Sequence, residues 1–238
     1  MKKTALITGS AKGLGKAIAL EMAKYGYRIV LNTKSSEKEM METLEEILAF
    51  SPDSVAFKAD VSIYDEAKKL FDVAGNVDLL VNNAGISYIG LFNTMEQRDW
   101  QRLMQCNVDS MFNCTHLALP YMIKNHSGSI VNISSMWGIS GASCEVVYSA
   151  SKGAVNAFTK ALGKELAPSG IFVNAIACGA METTMNNFMS EEEHTAFAEE
   201  IPMGRFGKPE EVANLVKFLA LENTYITGQV LSLDGGMM

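Results

Sequence analysis

The chain has 238 residues, of which 48% are hydrophobic and 20% are charged, so it can bury one large core, and we expect a single domain over residues 1–238. The formal net charge is -7 and no long basic run occurs, which argues against nucleic acid or an anionic membrane as the main partner. The four cysteines form no CxxC pair and lie near no histidine cluster, so the sequence predicts no metal site.

The N-terminus (MKKTALITGS) contains only a short apolar run before a polar turn. Such a run is far shorter than the core of a signal peptide or a membrane-spanning helix. We therefore expect a cytoplasmic protein.

The first element in the chain is an apolar strand at residues 4–8 (TALIT), followed by a glycine-rich turn and an amphipathic helix. Glycines let a backbone approach a pyrophosphate, and the helix N-terminus offers free N–H groups to it. The same glycines can also be purely structural. The candidate phosphate-binding residues of the turn are Gly9, Ser10, Lys12, Gly13, Leu14 and Gly15.

The second strand, at residues 27–32 (YRIVLN), ends in Asn32, Thr33 and Lys34, and no acidic residue follows until Glu37. A site for NAD would need a carboxylate here to bind the ribose 2′-hydroxyl. Lys34, together with Lys12 in the glycine turn, favours a 2′-phosphate and therefore NADP, although exposed lysines are common.

A charged helix over residues 37–50 and a strand at 54–58 lead to Asp60 and Val61. Asp60 has two open interpretations: it accepts a hydrogen bond from an adenine, or it caps the helix that begins near Ile63.

A fully apolar strand at residues 77–81 (VDLLV) ends in the sequence NNAG, which includes Asn83, Ala84 and Gly85. Small and amide residues at such an end suit a passing cofactor or a tight turn. The pattern then predicts one long helix over residues 99–125, in which Asn107 is locally disfavoured and could bend the helix or recruit water.

Residues 128–135 (GSIVNISS) read as a buried strand that places Ser135 at its carboxyl end, where open α/β sheets bind ligands. A helix from about Val147 puts Tyr148 and Lys152 on one face, as an i,i+4 pair. A lysine and a second cation beside a phenol favour the phenolate, and the fall in its pKa from ~10 towards neutrality requires roughly 4 to 5 kcal/mol. Taken alone, the same pattern is also typical of an ordinary amphipathic helix start.

The last elements are a strand at residues 171–177, a helix at 210–220 and a strand at 228–233. Between them, residues 183–208 are predicted to form a mobile substrate lobe. Met181, Met185 and Met189 recur at helical spacing and predict either one soft face of that lobe or ordinary core packing. Strands that alternate with helices predict an α/β fold, a doubly wound parallel sheet of the Rossmann type with helices on both faces.

These motifs together resemble those of the classical short-chain dehydrogenases/reductases over essentially the whole chain. The resemblance rests on five motifs in family order: TGSAKGLG at residues 8–15, NNAG at 82–85, Asn107, Ser135, and the pair Tyr148 and Lys152. Each motif is weak alone, but five in order are specific.

The resemblance implies a role for each residue. Tyr148 is the general acid/base, Lys152 lowers its pKa and binds the nicotinamide ribose, Ser135 orients the substrate carbonyl, and Asn107 holds a water that links Lys152 to solvent. Asp60 and Val61 meet the adenine, while Asn83, Ala84 and Gly85 lie on the adenosine side. The remaining residues of the predicted NADP(H) site are the glycine turn, Asn32, Thr33, Lys34, Gly179 and Met181.

Within the family, the C-terminal residues 225–238 (YITGQVLSLDGGMM) and the segment GRFGKPEEVANLVKFLA resemble the 3-oxoacyl-[acyl-carrier-protein] reductases of fatty acid biosynthesis. That resemblance implies an acyl-carrier protein as partner and a homotetramer, in which the helices near Asn107 and Ala154 and the C-terminal strand pack between subunits.

Two departures from the family pattern stand out. Cys178-Gly179 replaces a Pro-Gly pair, which removes a fixed φ from the loop on the nicotinamide side. The arginines that meet the acidic carrier are absent from residues 125–129 and 168–170, where Lys124 and His126 are the nearby basic residues. A thinner basic patch weakens docking to an acidic partner.

Three hypotheses follow. The first is an NADPH-dependent reductase of 3-oxoacyl thioesters, and the second is a reductase or dehydrogenase of another small ketone, sugar or steroid alcohol, which the missing arginines favour. The third is a non-catalytic protein that senses NADP, although such proteins typically lose Tyr148 or Lys152.

Overall fold

The computed structural model describes residues 2–183 and 190–238. Its strands are β1 (Thr4–Ile7), β2 (Arg28–Thr33), β3 (Val55–Lys58), β4 (Leu79–Asn82), β5 (Gly128–Ser135), β6 (Ile171–Cys178) and β7 (Val230–Leu233). Its helices are α1 (Gly13–Lys24), α2 (Glu37–Leu48), α3 (Tyr64–Ala74), α4 (Gln97–Met104), α5 (Ser110–Asn125), α6 (Trp137–Ser140), α7 (Val146–Leu166), α8 (Glu191–Glu200) and α9 (Pro209–Leu221).

The seven strands form one parallel sheet in the order β3-β2-β1-β4-β5-β6-β7. The predicted doubly wound α/β fold is therefore confirmed. The order reverses between β1 and β4, and such a reversal opens a crevice outside the carboxyl ends of the strands.

Alternating residues of the strands supply two separate cores. Ala5 and Ile7 of β1 pack with α1, α2 and α9 on one face of the sheet, whereas Leu6, between them, packs with α3, α5 and α7 on the other. Both faces are thus covered, and this explains why the strands are continuous apolar runs in the sequence.

The strands begin and end within two residues of their predicted limits, but the predicted helix over residues 99–125 is not continuous. It is divided into α4, a π-helical turn at Gln105–Asp109 and α5. The described part of the predicted substrate lobe contains α8, which opens with a capping box between Ser190 and Glu193. Met185 and Met189 lie outside the described residues.

Candidate active site

The carboxyl ends of the central strands and the N-terminus of α1 surround a cavity of about 310 Å³. The cavity lies at the reversal of the strand order, where the topology predicts it. Of the residues singled out in the sequence, those that line it are Gly9, Lys12, Gly13, Leu14, Asn83, Ala84, Gly85, Ser135, Tyr148, Lys152, Gly179 and Met181.

The glycine turn is tied to the end of β4 by close backbone contact. Gly9 has φ +61°, and a Cβ atom there would lie 3.0 Å from the Cα of Ala84. The hydroxyl of Thr8 accepts hydrogen bonds from the backbone N–H groups of Asn83 (3.0 Å) and Ala84 (2.9 Å), and the Asn83 amide donates to the Gly9 carbonyl at 2.9 Å. The turn and the NNAG segment therefore form one wall of the cavity.

The N-terminus of α1 opens onto this wall without a side-chain cap. Lys12, the N-cap residue, makes no capping hydrogen bond, and the first turn of α1 contains no acidic residue. Free N–H groups at a positive dipole end, beside glycines that leave room for a ligand, fit the pyrophosphate of a dinucleotide.

Tyr148 and Lys152 project from the first turns of α7 into the cavity. The Lys152 ammonium is buried, donates a hydrogen bond to the Ile133 carbonyl at 2.8 Å and lies 5.7 Å from the centre of the Tyr148 ring. Burial lowers the pKa of Lys152 to about 8, because an ammonium loses its hydration there.

The expected lowering of the Tyr148 pKa is not produced by Lys152 within the polypeptide. Burial raises the pKa of Tyr148 above its ordinary value, and the hydrogen bond with Ser135 opposes that rise without cancelling it. The polypeptide therefore keeps the phenol protonated, which is the form that can donate a proton to a carbonyl oxygen.

Ser135 is held in place by the end of the sheet. It is buried at the last position of β5 and pairs with Cys178 of β6, and its hydroxyl accepts a hydrogen bond from the Trp137 N–H at 3.2 Å. The Gly179 N–H donates to the Leu233 carbonyl at 2.9 Å, and a Cβ atom at residue 179 would lie 2.6 Å from the Cα of Asp234. Packing against Asp234 thus fixes the loop that follows Cys178, where the family has a proline.

Asn107 lies in the π-helical turn and not in a regular helix. Its side chain accepts from the Ile86 N–H (2.8 Å) and donates to the Ile86 carbonyl (2.9 Å) and to the Ser151 hydroxyl (3.0 Å). Three hydrogen bonds from one buried amide to two other segments favour the wider turn, and π turns commonly mark functional positions. The prediction of a single helix was wrong because these tertiary bonds outweigh local helix geometry.

The predicted cofactor-binding residues at and after the ends of β2 and β3 lie outside the cavity. Asn32 is buried and its side-chain amide donates to the carbonyls of Phe57 (3.2 Å) and Ala59 (3.1 Å). The Ser10 hydroxyl donates to the Ile7 carbonyl at 2.8 Å. The other predicted residues outside the cavity are Gly15, Thr33, Lys34, Asp60, Val61 and Asn107.

Asp60 forms an ion pair with Lys34, with 2.6 Å between Oδ2 and Nζ, and accepts hydrogen bonds from the N–H and hydroxyl of Ser62. Burial alone would raise the pKa of Asp60, but these partners outweigh burial and lower it. The N-cap position of α3 is Ile63, with no side-chain cap. Asp60 therefore orders the loop before α3 and does not cap the helix.

Sequence reasoning missed one half of the cavity. Trp137, the first residue of α6, and Glu145, the residue before α7, line it with Tyr148. Burial raises the pKa of the Glu145 carboxyl, against a hydrogen bond from the Trp137 side chain. The other lining residues that the sequence did not single out include Ser87, Ile89, Met136, Thr183 and Phe197. Glu145 could have been predicted to line the cavity, because it lies three residues before Tyr148 at the start of the same helix.

The described residues contain neither a metal-binding cluster nor a membrane-spanning helix. No group of three His, Cys, Asp or Glu side chains there could hold a metal ion. None of the helices in ranges 2–183 and 190–238 is long and apolar enough to cross a membrane.

The protein has the features of a nucleotide-dependent oxidoreductase. Its parallel sheet carries a glycine turn where the strand order reverses, and a serine, a tyrosine and a lysine surround one cavity there. The family model for short chain dehydrogenase matches residues 3–194. The chain belongs to the short-chain dehydrogenase/reductase family, whose members use a nicotinamide cofactor and act on small-molecule substrates.

Similar proteins cover this chain from end to end. An uncharacterized oxidoreductase, YmfI of Bacillus subtilis (strain 168), is 44% identical over 99% of both chains. The 3-oxoacyl-[acyl-carrier-protein] reductase FabG of Staphylococcus aureus (strain Mu50) is 38% identical over 100% of this chain and 98% of its own. The crystal structure of acetoin dehydrogenase YohF from Salmonella typhimurium has a TM-score of 0.90 at 33% identity, covering 100% of this chain and 98% of that one.

Proposed function

We propose that this protein is an NADPH-dependent reductase that converts a ketone to a secondary alcohol, with a 3-oxoacyl thioester as substrate. The observation that carries the proposal is the meeting of Ser135, Tyr148 and Lys152 in one cavity with the open N-terminus of α1. The likeness to FabG supports the thioester.

Each polar side chain of the cavity has its own role in the proposed reaction. A nicotinamide cofactor, when bound, supplies a hydride to the carbonyl carbon. Tyr148 donates its proton to the carbonyl oxygen, and Ser135 donates a hydrogen bond where negative charge develops. Lys152 binds ribose hydroxyls and takes part in returning a proton to Tyr148, and Asn107 supports it through a water. The glycine turn and Asn83, Ala84 and Gly85 bind the cofactor along the opposite wall.

We infer NADP as the cofactor from two lysines near the expected position of the 2′-phosphate. Lys12 lies exposed at the N-terminus of α1, and the Lys34 side chain is 63% exposed although it pairs with Asp60. A phosphate there would share the Lys34 ammonium with Asp60. The end of β2 offers no carboxylate to a ribose 2′-hydroxyl, because its last residues are Asn32 and Thr33.

Replacement of Lys12 and Lys34 by alanine tests this inference. We expect each variant to lose affinity for NADPH by about tenfold, because one charged phosphate contact is worth roughly 1 to 2 kcal/mol, and to keep its affinity for NADH. Lys38→Ala, on α2 with an 87% exposed side chain, is the matched control. Equal losses for both cofactors would refute the 2′-phosphate site.

We propose that the described part of residues 183–208 is the substrate lobe. Thr183 and Phe197, the latter on α8, line the same cavity as Tyr148. Apolar side chains at this position suit an acyl chain or a small apolar ketone.

The alternative function is reduction of a small ketone that is not bound to a carrier protein. The likeness to acetoin dehydrogenase favours it, as does the lack of arginines at residues 125–129 and 168–170.

One assay distinguishes the two functions. Oxidation of NADPH and of NADH is followed with acetoacetyl thioesters of acyl-carrier protein and of coenzyme A, and with acetoin. Turnover of the carrier-bound thioester with NADPH supports the first function. Turnover of acetoin alone supports the second. Binding of NADPH without turnover of any of these substrates would instead favour an unrelated ketone or alcohol as substrate, which a substrate screen would then identify.

Tyr148→Phe should bind NADPH normally and lose roughly 10²- to 10⁴-fold in turnover, the typical contribution of a general acid.

A further inference from the structure

Glu145 places a carboxylate at the substrate end of the cavity, at the N-terminus of the helix that carries Tyr148. Its backbone begins α7, since the Glu145 carbonyl accepts a hydrogen bond from the Ser149 N–H at 2.8 Å. Its side chain does not cap that helix. The carboxylate instead accepts a hydrogen bond from the Trp137 side chain across the cavity loop.

Within residues 2–183 and 190–238, no cationic side chain forms an ion pair with this carboxylate. Two cationic residues in the described part of the chain line the cavity, namely Lys12, at the glycine turn, and Lys152. The Lys152 ammonium is buried against the Ile133 carbonyl, and neither lysine shifts the pKa of Glu145.

The negative charge of Glu145 is only weakly screened by its surroundings, so it can repel a second negative charge in the cavity. Ile89, Met136 and Phe197 line the same cavity as Glu145, and apolar walls screen a charge far less than water does. The charge also acts on the catalytic group, because Glu145 contributes to the raised pKa of Tyr148.

We propose that Glu145, held by Trp137, is a specificity-determining residue that excludes anionic substrates. A ketone with a free carboxylate near the reacting carbonyl would bring a second negative charge beside the first, and the described cavity offers no spare cation for it. An ester, a thioester or a hydroxyketone carries no such charge and is admitted. The inference rests on the proposed ketone reduction and narrows its substrates to those that are uncharged near the carbonyl.

The test compares a matched acid and ester in wild type and Glu145→Gln. Glutamine keeps the shape of the side chain and an oxygen that can accept from Trp137, so the fold and the loop are retained. The substrates are ethyl acetoacetate and acetoacetate, which share the carbonyl and differ in charge. The measured quantity is the ratio of kcat/KM for the ester to that for the acid.

We expect wild type to prefer the ester, and we expect Glu145→Gln to reduce that ratio on the order of tenfold or more by gaining activity on the acid. The matched control is Glu222→Gln, which removes an exposed charge next to Lys217, outside the cavity, and should keep the wild-type ratio. An unchanged ratio in Glu145→Gln, or a wild-type preference for the acid, would overturn the proposal.

Binding measurements separate this proposal from the proposed reductase function. Calorimetric titration of the cofactor-loaded proteins gives the ratio of acid to ester affinity without any turnover. Binding that prefers the ester in wild type but less in Glu145→Gln, with no reduction of either ligand, would refute the reductase function and retain the role of Glu145. Equal affinity ratios in the two proteins, or an ester that neither protein binds, would refute the role of Glu145 even if ketones are reduced.

Discussion

The burial of Lys152 lowers the stability of the folded protein but suits this residue to proton transfer. Its ammonium is buried, with one hydrogen bond to Ile133, although an ammonium is most stable in water. A lysine in such a place binds its proton less tightly, and it can release or accept that proton nearer to neutral pH than an exposed lysine can. The residue that would serve proton return to Tyr148 is therefore also one that destabilises the fold.

The stability of the protein should consequently rise with pH in a defined window. The pKa of Lys152 falls from 10.5 to about 8 on folding, so between these values the unfolded chain binds this proton and the folded chain does not. Stability therefore increases from about pH 8 to pH 10.5, and the cost of the buried charge is fully present below pH 8.

Lys152→Met removes that cost. Below pH 8 we expect its free energy of unfolding to exceed that of wild type by up to about 3 kcal/mol, reduced by about 1 kcal/mol for the Ile133 carbonyl that loses its donor. The advantage should shrink as pH rises towards 10.5. Urea unfolding of both proteins across this range measures the difference, and a difference that is independent of pH would contradict the argument. The same variant should show little or no ketone reduction.

At the scale of an element, α7 contains two glycines with opposite surroundings. Among the residues that the structure describes, a Cβ atom at Gly153 would meet only the Gly138 carbonyl oxygen, at 3.7 Å. A Cβ atom at Gly163 would lie 2.5 Å from the backbone of Gly228, in the loop that precedes β7. Gly163 is thus required for the close approach of that loop to the helix, and Gly153 is not.

Alanine substitutions at these two glycines should therefore change the stability of the protein in opposite directions. Gly153→Ala should stabilise the protein by about 0.5 to 1 kcal/mol, because alanine loses less conformational entropy in a helix than glycine does. Gly163→Ala should destabilise it by about 1 to 3 kcal/mol, since helix and loop must move apart. Thermal or urea unfolding measures both. A stabilised Gly163→Ala would show that the loop yields without cost.

At the scale of the whole molecule, α5 and α7 present apolar side chains outward. The ring of Phe112 on α5 is 42% exposed and lies 5.0 Å, centre to centre, from the ring of Phe158 on α7. We propose that this face packs between subunits of a homotetramer, which would bury these rings.

Phe112→Glu should then dissociate the tetramer into smaller species, because a carboxylate would be buried without a partner. Light scattering after size-exclusion chromatography gives the mass. The matched control is Phe50→Glu, which follows α2 and replaces a ring that is 52% exposed, and it should leave the mass unchanged. Equal masses for Phe112→Glu and wild type would exclude this face as an interface.

The sheet, the glycine turn and the residues at the ends of the strands could all be predicted from the amino-acid sequence. These features follow from local patterns: apolar runs such as residues 128–135, glycines before a helix, and the four-residue separation of Tyr148 and Lys152. Because parallel strands bring their carboxyl ends to one edge, the place of Ser135 at the crevice could be inferred from topology, whereas its meeting with Tyr148 was implied by the family resemblance.

Four features become visible only in the folded molecule: the π-helical turn at Asn107, the Lys34–Asp60 ion pair, the direction of the Tyr148 pKa and the place of Glu145. The Asn107 turn depends on hydrogen bonds to Ile86 and Ser151, and the Tyr148 pKa depends on burial. Burial and long-range partners are set by segments far apart in the chain, so no local pattern contains them.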